Sequence, residues 1–146
     1  MTEIVLFPHS DPRFAMVHAI RLDVFVDEQR CPEEEEWDDK DTVAIHCLAF
    51  RDSLPVGTFR YFDDEGWFHF GRLAVARKAR GMGIGAELMS SAMRAAKANG
   101  FTKAFMNVQI DKTAFYERYG FVAVGTEFIE AGISHVRMEA HFPATP

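Results

Sequence analysis

The alternation of apolar and polar positions divides the chain into short blocks of two kinds. Ile4–Phe7 is an apolar run of strand length. Val43–Phe50, Pro55–Phe62 and Gly66–Val75 repeat that character, with turn signals at Asp52–Ser53 and Asp63–Gly66. Between the first and second of these blocks the period changes. Phe14, Val17, Val24 and Phe25 share one helical stripe with Arg21 inside it; Ser10 or Asp11 suits a cap and Pro12 the first helical position. A helix is therefore predicted from there to about Glu28. The tract Cys31–Asp41, CPEEEEWDDKD, predicts an acidic loop or short helix. Gly83–Asn99 predicts an amphipathic helix with Ile84, Leu88, Ala92 and Ala95 on its apolar face, ended by Asn99-Gly100. Lys103–Val108 reads as a strand, Lys112–Tyr119 as a short helix stopped by Gly120, and Phe121–Phe128 and Ser134–Phe142 as closing strands. Strands interleaved with helices predict mixed α/β layers, and no repeat or linker divides residues 1–146, which read as one domain.

One block has a composition that packing alone does not explain. In Gly71–Leu88, GRLAVARKARGMGIGAEL, a short apolar strand (Leu73, Ala74, Val75) runs into a basic turn (Arg77, Lys78, Arg80) and then three alternating glycines open a helix. Gly81, Gly83 and Gly85 lack Cβ atoms, so the main chain there can take unusual dihedrals and approach a ligand. A helix N-terminus with unpaired N–H groups and a positive partial charge is an anion site, and Arg80 adds a guanidinium suited to phosphate oxygens. The expected guest is a pyrophosphate, gripped by residues Arg80, Gly81, Met82, Gly83, Ile84, Gly85 and Ala86. A P-loop is excluded, because no Lys-Ser or Lys-Thr pair follows the glycines. The dinucleotide fingerprint is met literally by Gly81, Gly83 and Ala86, but basic residues intervene after the strand. No acid stands about 20 residues further on, where the sequence is FTKAFM.

A chain of 146 residues with net charge −6 is long enough for a real core and carries no basic face for a nucleic acid. No apolar run approaches membrane-spanning length and the N-terminus lacks a secretory pattern. Two cysteines, Cys31 and Cys47, without metal-like spacing suggest a reducing, cytoplasmic setting and no metal site. The carboxylate spacing at Glu33–Asp41 does not fit a calcium loop.

The remaining option for the glycine turn, R-x-x-G-x-G/A after a strand, is Arg80–Gly85, and it resembles the acetyl-CoA signature of the GCN5-related N-acetyltransferases. A second segment, Gln109–Phe121 (QIDKTAFYERYGF), resembles the same family's F-Y-E-x-x-G-F motif. Arg21–Glu36 is similar to the R-x-x-V-F-V-x-E-Q segment of one bacterial subgroup, as are VGTFR at Val56–Arg60 and GISHVRM at Gly132–Met138. The last piece is also similar to the late strand of glyphosate N-acetyltransferase. The resemblance covers almost the whole chain. It implies that family's fold, a single mixed sheet of about seven strands flanked by about four helices, acetyl-CoA as co-substrate and a homodimer. Lys112 stands where the family has alanine, able to narrow the pantetheine channel or to reach the cofactor phosphates; Gln109 is the motif's polar amide.

Acetyl transfer to an amine needs a neutral amine, a stabilised oxyanion and a proton for the departing thiolate. The resemblance places the proton donor at Tyr116. Phe115 and Tyr119 share a helix face, which leaves Tyr116 rotated about 100° from it and suited to a separate role. His135, mid-strand opposite Val136, is the first candidate for the base, with His46 and His69 behind it; a structural histidine is the alternative. The family's oxyanion donor is a main-chain N–H of the Leu73–Val75 strand, whose edge would also take the pantetheine arm as an added strand. Arg21, a cation on an apolar stripe, needs either an anionic group on the acceptor or an internal partner among Glu33–Glu36; Arg72 is a second candidate anion binder. Neither cysteine sits near these motifs, so direct attack by a small-molecule primary amine is expected rather than a covalent relay. The competing readings are a peptide or protein N-acetyltransferase and a non-catalytic acyl-CoA-binding module.

Overall fold

The computed structural model describes residues 2–143; the outermost positions of the 1–146 domain assignment lie outside that range. Strand β1 (Thr2–Pro8) leads into a turn in which an Asp11 carboxylate oxygen accepts from the Arg13 N–H at 2.9 Å, starting helix α1 (Phe14–Arg21). The predicted helix to Glu28 is continuous in space, but its second half, Leu22–Glu28, is π-helical, closed by the Cys31 N–H to Phe25 carbonyl bond of 2.9 Å. The acidic tract folds as the single turn α2 (Glu33–Glu36) and a 3₁₀ turn (Asp39–Thr42).

Strands β2 (Ile45–Arg51), β3 (Leu54–Asp64) and β4 (Trp67–Val75) form an antiparallel meander. Its tight turns have two successive left-handed residues each, Asp52–Ser53 and Glu65–Gly66, whose twist matches the flanking strands. Helix α3 (Ile84–Ala98) ends with Gly100 at φ 80° and the Phe101 N–H bonded to the Ala96 carbonyl, which closes its last turn. Strand β5 (Lys103–Gln109), a 3₁₀ turn (Ile110–Lys112), α4 (Thr113–Glu117), β6 (Val122–Glu130) and β7 (Ile133–His141) follow. The seven strands make one sheet in the order β1-β2-β3-β4-β5-β7-β6, antiparallel except for β4 beside β5. This is the mixed sheet with four α-helices that the sequence implies.

Apolar layers cover both faces. On one, Phe59, Phe68 and Phe70 pack against Leu88, Met89 and Ala92 of α3; on the other, Phe7 and Leu48 meet Val17, Val24 and Phe25 of the first helix. Burial of each such large side chain is worth roughly 1.5–3 kcal/mol. Gly57 lets α3 settle onto β3, since a Cβ there would lie 2.9 Å from the Leu88 side chain. No helix among the described residues is long and apolar enough to cross a membrane.

Two irregularities in β4 position the site. Its pairing to β5 is confined to Phe68 with Ala104 and His69 with Phe105, after which the two parallel strands diverge and their facing edges are free. Against β3 the register shifts between Thr58 and Arg60, so that Arg72 and Leu73 stand opposite Phe59 alone. Arg72 takes φ 54° in this bulge, a left-handed conformation that costs an L-residue energy and must be held by its surroundings.

Candidate active site

The wedge between β4 and β5 opens into a cavity of 580 Å³. Its walls include Leu73 and Arg72 from β4, Gln109 from β5, Lys112 after it, Tyr116 from α4 and His135 from β7. The structure thus brings both proposed catalytic side chains, part of the cofactor strand and two of the motif's polar residues to one space. Ala74 and Val75 continue the β4 edge beyond it, paired to β3 on one side only.

The glycine turn stands at the C-terminal end of that free edge. Gly81 has φ 82° and Gly83, which precedes the first residue of α3, has φ 79°; no side chain would crowd a Cβ at either, so dihedral angle is what requires glycine there. Gly85 already lies inside the helix, with the Phe115 ring 3.5 Å from where its Cβ would be. The amides of Gly81, Met82 and Gly83 donate no backbone hydrogen bond, and those of Ile84, Gly85 and Ala86 form the helix's first turn, where no intrahelical acceptor exists. Six consecutive N–H groups are therefore unspent. With the helix dipole behind them, they fit a diphosphate.

Arg80 does not reach into this turn alone. Its Nε–H donates to the Val75 carbonyl at 3.2 Å and its two terminal nitrogens grip both oxygens of Glu28 at 2.6 Å each. That hydrogen bond and charge hold the Glu28 carboxyl below the usual carboxylate range. Arg77 pairs with Asp23 at 2.7 Å on the same side. Glu28 was not anticipated as a site residue; its adjacency to Gln29 in the V-F-V-x-E-Q segment is the only trace of it in the sequence. Gln29 in turn accepts from the Gln109 amide at 2.7 Å and ties the π-helical segment to β5.

Tyr116 is nine-tenths buried between the edges of Phe115 and Phe121, and burial pushes its hydroxyl well above the ordinary phenol value, so it holds its proton. His135 is 7% exposed and stacks on Phe128. Its Nδ1–H donates to the Ile133 carbonyl at 2.7 Å, leaving Nε2 as the basic nitrogen, 3.7 Å from a Glu130 oxygen. A second imidazole shares the cavity. His69 Nδ1 meets Asp64 Oδ2 at 3.0 Å, its ring lies 4.1 Å from that of Phe105, and burial lowers its pKa. The other fallback histidine, His46, is fully buried away from the cavity with Nε2–H donating to the Asp41 carbonyl at 2.9 Å.

The two arginines read as substrate binders are committed internally. Arg21 is fully buried and absent from the cavity wall: Nε donates to Glu36 at 2.7 Å, Nη1 to Asp41 at 2.8 Å and Nη2 to the Glu36 carbonyl at 2.9 Å. The substrate role for Arg21 is thereby replaced by the internal ion pair, because the buried guanidinium makes four hydrogen bonds within it and does not line the cavity. Arg60 joins from β3, bonded to Asp38 at 2.6 Å and to Asp41 at 2.8 Å. Arg72 lines the cavity, but its Nη2 donates to the Glu36 carbonyl at 3.2 Å and to Asp38 at 3.4 Å; Nε sits 3.2 Å from Glu36 Oε2, off the hydrogen-bond direction, so that contact is electrostatic. Burial pushes the Glu36 carboxyl up while Arg72 and Arg21 draw it down; burial likewise raises Asp38, but Arg60 and Arg72 outweigh it and hold that carboxyl at about 2. The network holds the acidic tract over the bulge and fixes the left-handed Arg72.

Cys31 corrects a second expectation. The turn after the π-helical segment carries it into the cavity wall, although the sequence motifs place neither cysteine there. Burial and the nearby Glu36 raise its thiol pKa, and burial alone pushes Cys47 up to about 12, so both hold their protons and neither is a ready nucleophile. No cluster of metal-binding side chains occurs among the described residues.

A splayed β4–β5 pair, a bulge at the wedge and a glycine turn capping the next helix define an acyl-CoA-dependent acyltransferase scaffold. The chain belongs to the GNAT acetyltransferase family: the sequence model described as "Acetyltransferase (GNAT) domain" matches residues 21–142. It is 32% identical over 120 residues to the uncharacterized N-acetyltransferase YjcF of Bacillus subtilis, covering 82% of this chain and 86% of that one. An acyl-CoA N-acyltransferase from Pseudomonas aeruginosa superposes with TM-score 0.86 at 33% identity, covering 96% and 99% of the two chains. The fold extends to a Thermoplasma acidophilum PaiA N-acetyltransferase solved with coenzyme A, at TM-score 0.77 and 16% identity, covering 97% and 99%.

Proposed function

We propose that the protein transfers the acetyl group of acetyl-CoA to a primary amine of a small molecule by direct attack. The observation that carries this reading is the unspent run of amides from Gly81 to Ala86 at the end of the free β4 edge, which leads into the cavity that Tyr116 and His135 both line. Acetyl-CoA supplies the activated acyl group; the chain supplies everything that aims and protonates. The amides and Arg80 hold the diphosphate, with Lys112 beside the channel, and the Leu73–Val75 edge and Gln109 hold the pantetheine arm. A main-chain N–H of the same edge stabilises the negative charge that develops on the carbonyl oxygen.

His135 Nε2 takes the proton from the attacking amine nitrogen as the N–C bond forms. Tyr116 gives its proton to sulfur as the C–S bond breaks, so amide and free thiol are the products. The apolar wall that raises the Tyr116 hydroxyl also disfavours a bare thiolate, which keeps donor and acceptor matched. Raised thiol values at Cys31 and Cys47 support direct attack over a relay. His69 with Asp64 is a second reading for the base, favoured by their 3.0 Å contact in the same cavity. We take residues 1–146 as one catalytic domain working in the cytoplasm, with two free cysteines in keeping, and as a homodimer, for which the exposed Val122 and Ile129 of the edge strand β6 offer a surface. An amine screen with thiol detection tests the reading. Amine-dependent thiol release is expected; acetyl-CoA binding without release for any amine would leave a binding module instead.

A further inference from the structure

We infer that the acceptor carries a second positive charge besides the amine that is acetylated, received at the His69–Asp64 side of the cavity while the reacting amine meets His135. This rests on the acyltransfer reading above and sets aside the anionic group on the acceptor that was one alternative for Arg21 and Arg72.

Charge and hydrogen-bonding capacity argue together. The three guanidinium groups nearest the wedge, Arg21, Arg60 and Arg72, are matched by three carboxylates, Glu36, Asp38 and Asp41, in one closed network. Nothing cationic in that network is left to meet an anion. Outside it the wall presents Glu34, Glu35, Asp64 and Glu130, none of them paired with an arginine or lysine among the described residues. Against these four stand Lys40 and Lys112, and Lys112 has Asp111 within 4.0 Å. A cavity that is partly screened from water and negative on balance draws cations and repels carboxylates.

The second observation is independent of the carboxylates. His135 is a nine-tenths-buried polar side chain on the cavity wall whose Nε2 has no hydrogen-bond partner, because Nδ1 is spent on Ile133 and Glu130 stays at 3.7 Å. His69, on β4, likewise spends Nδ1 on Asp64 and keeps Nε2 as its acceptor. Two imidazole lone pairs, with Asp64 behind one ring and Glu130 3.7 Å from the free nitrogen of the other, call for N–H donors, one the reacting amine and one the second ammonium. An ammonium group offers three donors and no acceptor, which fits such a wall. The aromatic faces of Phe25 and Phe62, also in the wall, suit the alkyl chain between two amines.

Three acceptors of similar length separate the outcomes: putrescine, butylamine and γ-aminobutyrate, each measured by thiol release from acetyl-CoA. The expected order of kcat/KM is putrescine, then butylamine, then γ-aminobutyrate, each step about tenfold, narrowing as salt is raised. Asp64→Asn and Glu130→Gln alter side chains that are 41% and 45% exposed, so the fold should survive; each should bring putrescine towards butylamine. Equal rates for all three, or a preference for γ-aminobutyrate, overturn the inference and leave the acyltransferase standing. If none of the three releases thiol, putrescine binding to the CoA-loaded protein decides. Binding weakened by Asp64→Asn upholds the charge assignment while the transfer reading for these amines falls, and no binding overturns both.

Discussion

Arg80 and Glu28, 52 positions apart in the chain, meet through two contacts of 2.6 Å, one to each carboxylate oxygen, at the lip of the proposed diphosphate site. The carboxylate occupies the guanidinium face that a phosphate would use and neutralises its charge. Glu28→Gln should therefore tighten acetyl-CoA binding three- to tenfold at low salt, in line with about 1 kcal/mol for a half-exposed ion pair. Titration calorimetry of the two proteins checks this. Weaker binding by the variant would show that Glu28 holds Arg80 in its productive rotamer instead of competing for it.

Gly83 sits at φ 79° where the chain enters α3. A β-branched residue cannot take that conformation without strain, and relaxing it turns the amides of the first turn away from their common focus. Gly83→Val should weaken acetyl-CoA binding by at least about a hundredfold, roughly 3 kcal/mol, the scale of two or three charge-assisted hydrogen bonds. Retained affinity with the fold intact would remove the glycine turn from the site.

Both residues bear on how much the sequence discloses. The glycine turn, the type I′ turns at Asp52–Ser53 and Glu65–Gly66 and the stripes of α1 and α3 follow from local rules, because a positive φ or a 3.6-residue period leaves its mark on neighbouring positions. The divergence of β4 from β5 does not: pairing stops after His69 and Phe105, shortly before the Arg72 bulge, and nothing in the alternation of Phe68–Val75 or Lys103–Gln109 encodes a gap. The π-helical stretch was equally hidden, since Leu22–Glu28 contains neither glycine nor proline. Asp64 and His69 were within reach. Once the turn is set at Glu65–Gly66, Phe62 pairs with His69 and Asp64 with Trp67, so both residues point to one face. Arg21 was legible as a buried cation, and only the folded acidic tract decides its partners.

Tyr116→Phe removes the hydroxyl and keeps the ring between Phe115 and Phe121. Turnover should fall at least about tenfold, within the range for general acid catalysis, while acetyl-CoA affinity changes little. Unchanged kcat would dismiss the tyrosine as proton donor.

The base is assigned by comparing two variants across pH. Loss of the acid limb of kcat/KM in His135→Gln, with the limb kept in His69→Gln, is the expected pattern. The reverse pattern moves the base to β4, and the position of the limb would agree: burial lowers the His69 pKa, so an enzyme relying on it stays active below the usual imidazole value of about 6.5 and loses rate only further into acid.

Arg21 supplies the sharpest contrast between a binding and a structural role. A substrate-binding arginine, when truncated, raises KM and leaves the fold alone. Here the guanidinium is fully buried and joined to Glu36 and Asp41 at 2.7 and 2.8 Å. Its removal leaves the buried Glu36 carboxylate short of a counter-charge, and breaking one side of such a pair is worth about 3–5 kcal/mol. Arg21→Met, which keeps most of the side-chain volume, should therefore lower the denaturant midpoint steeply. Because Glu36 also steadies Arg72 in the bulge, the folded fraction should lose kcat rather than gain KM, as the main-chain N–H of the β4 edge loses its aim. A variant of unchanged stability with a raised KM alone would return Arg21 to the acceptor site.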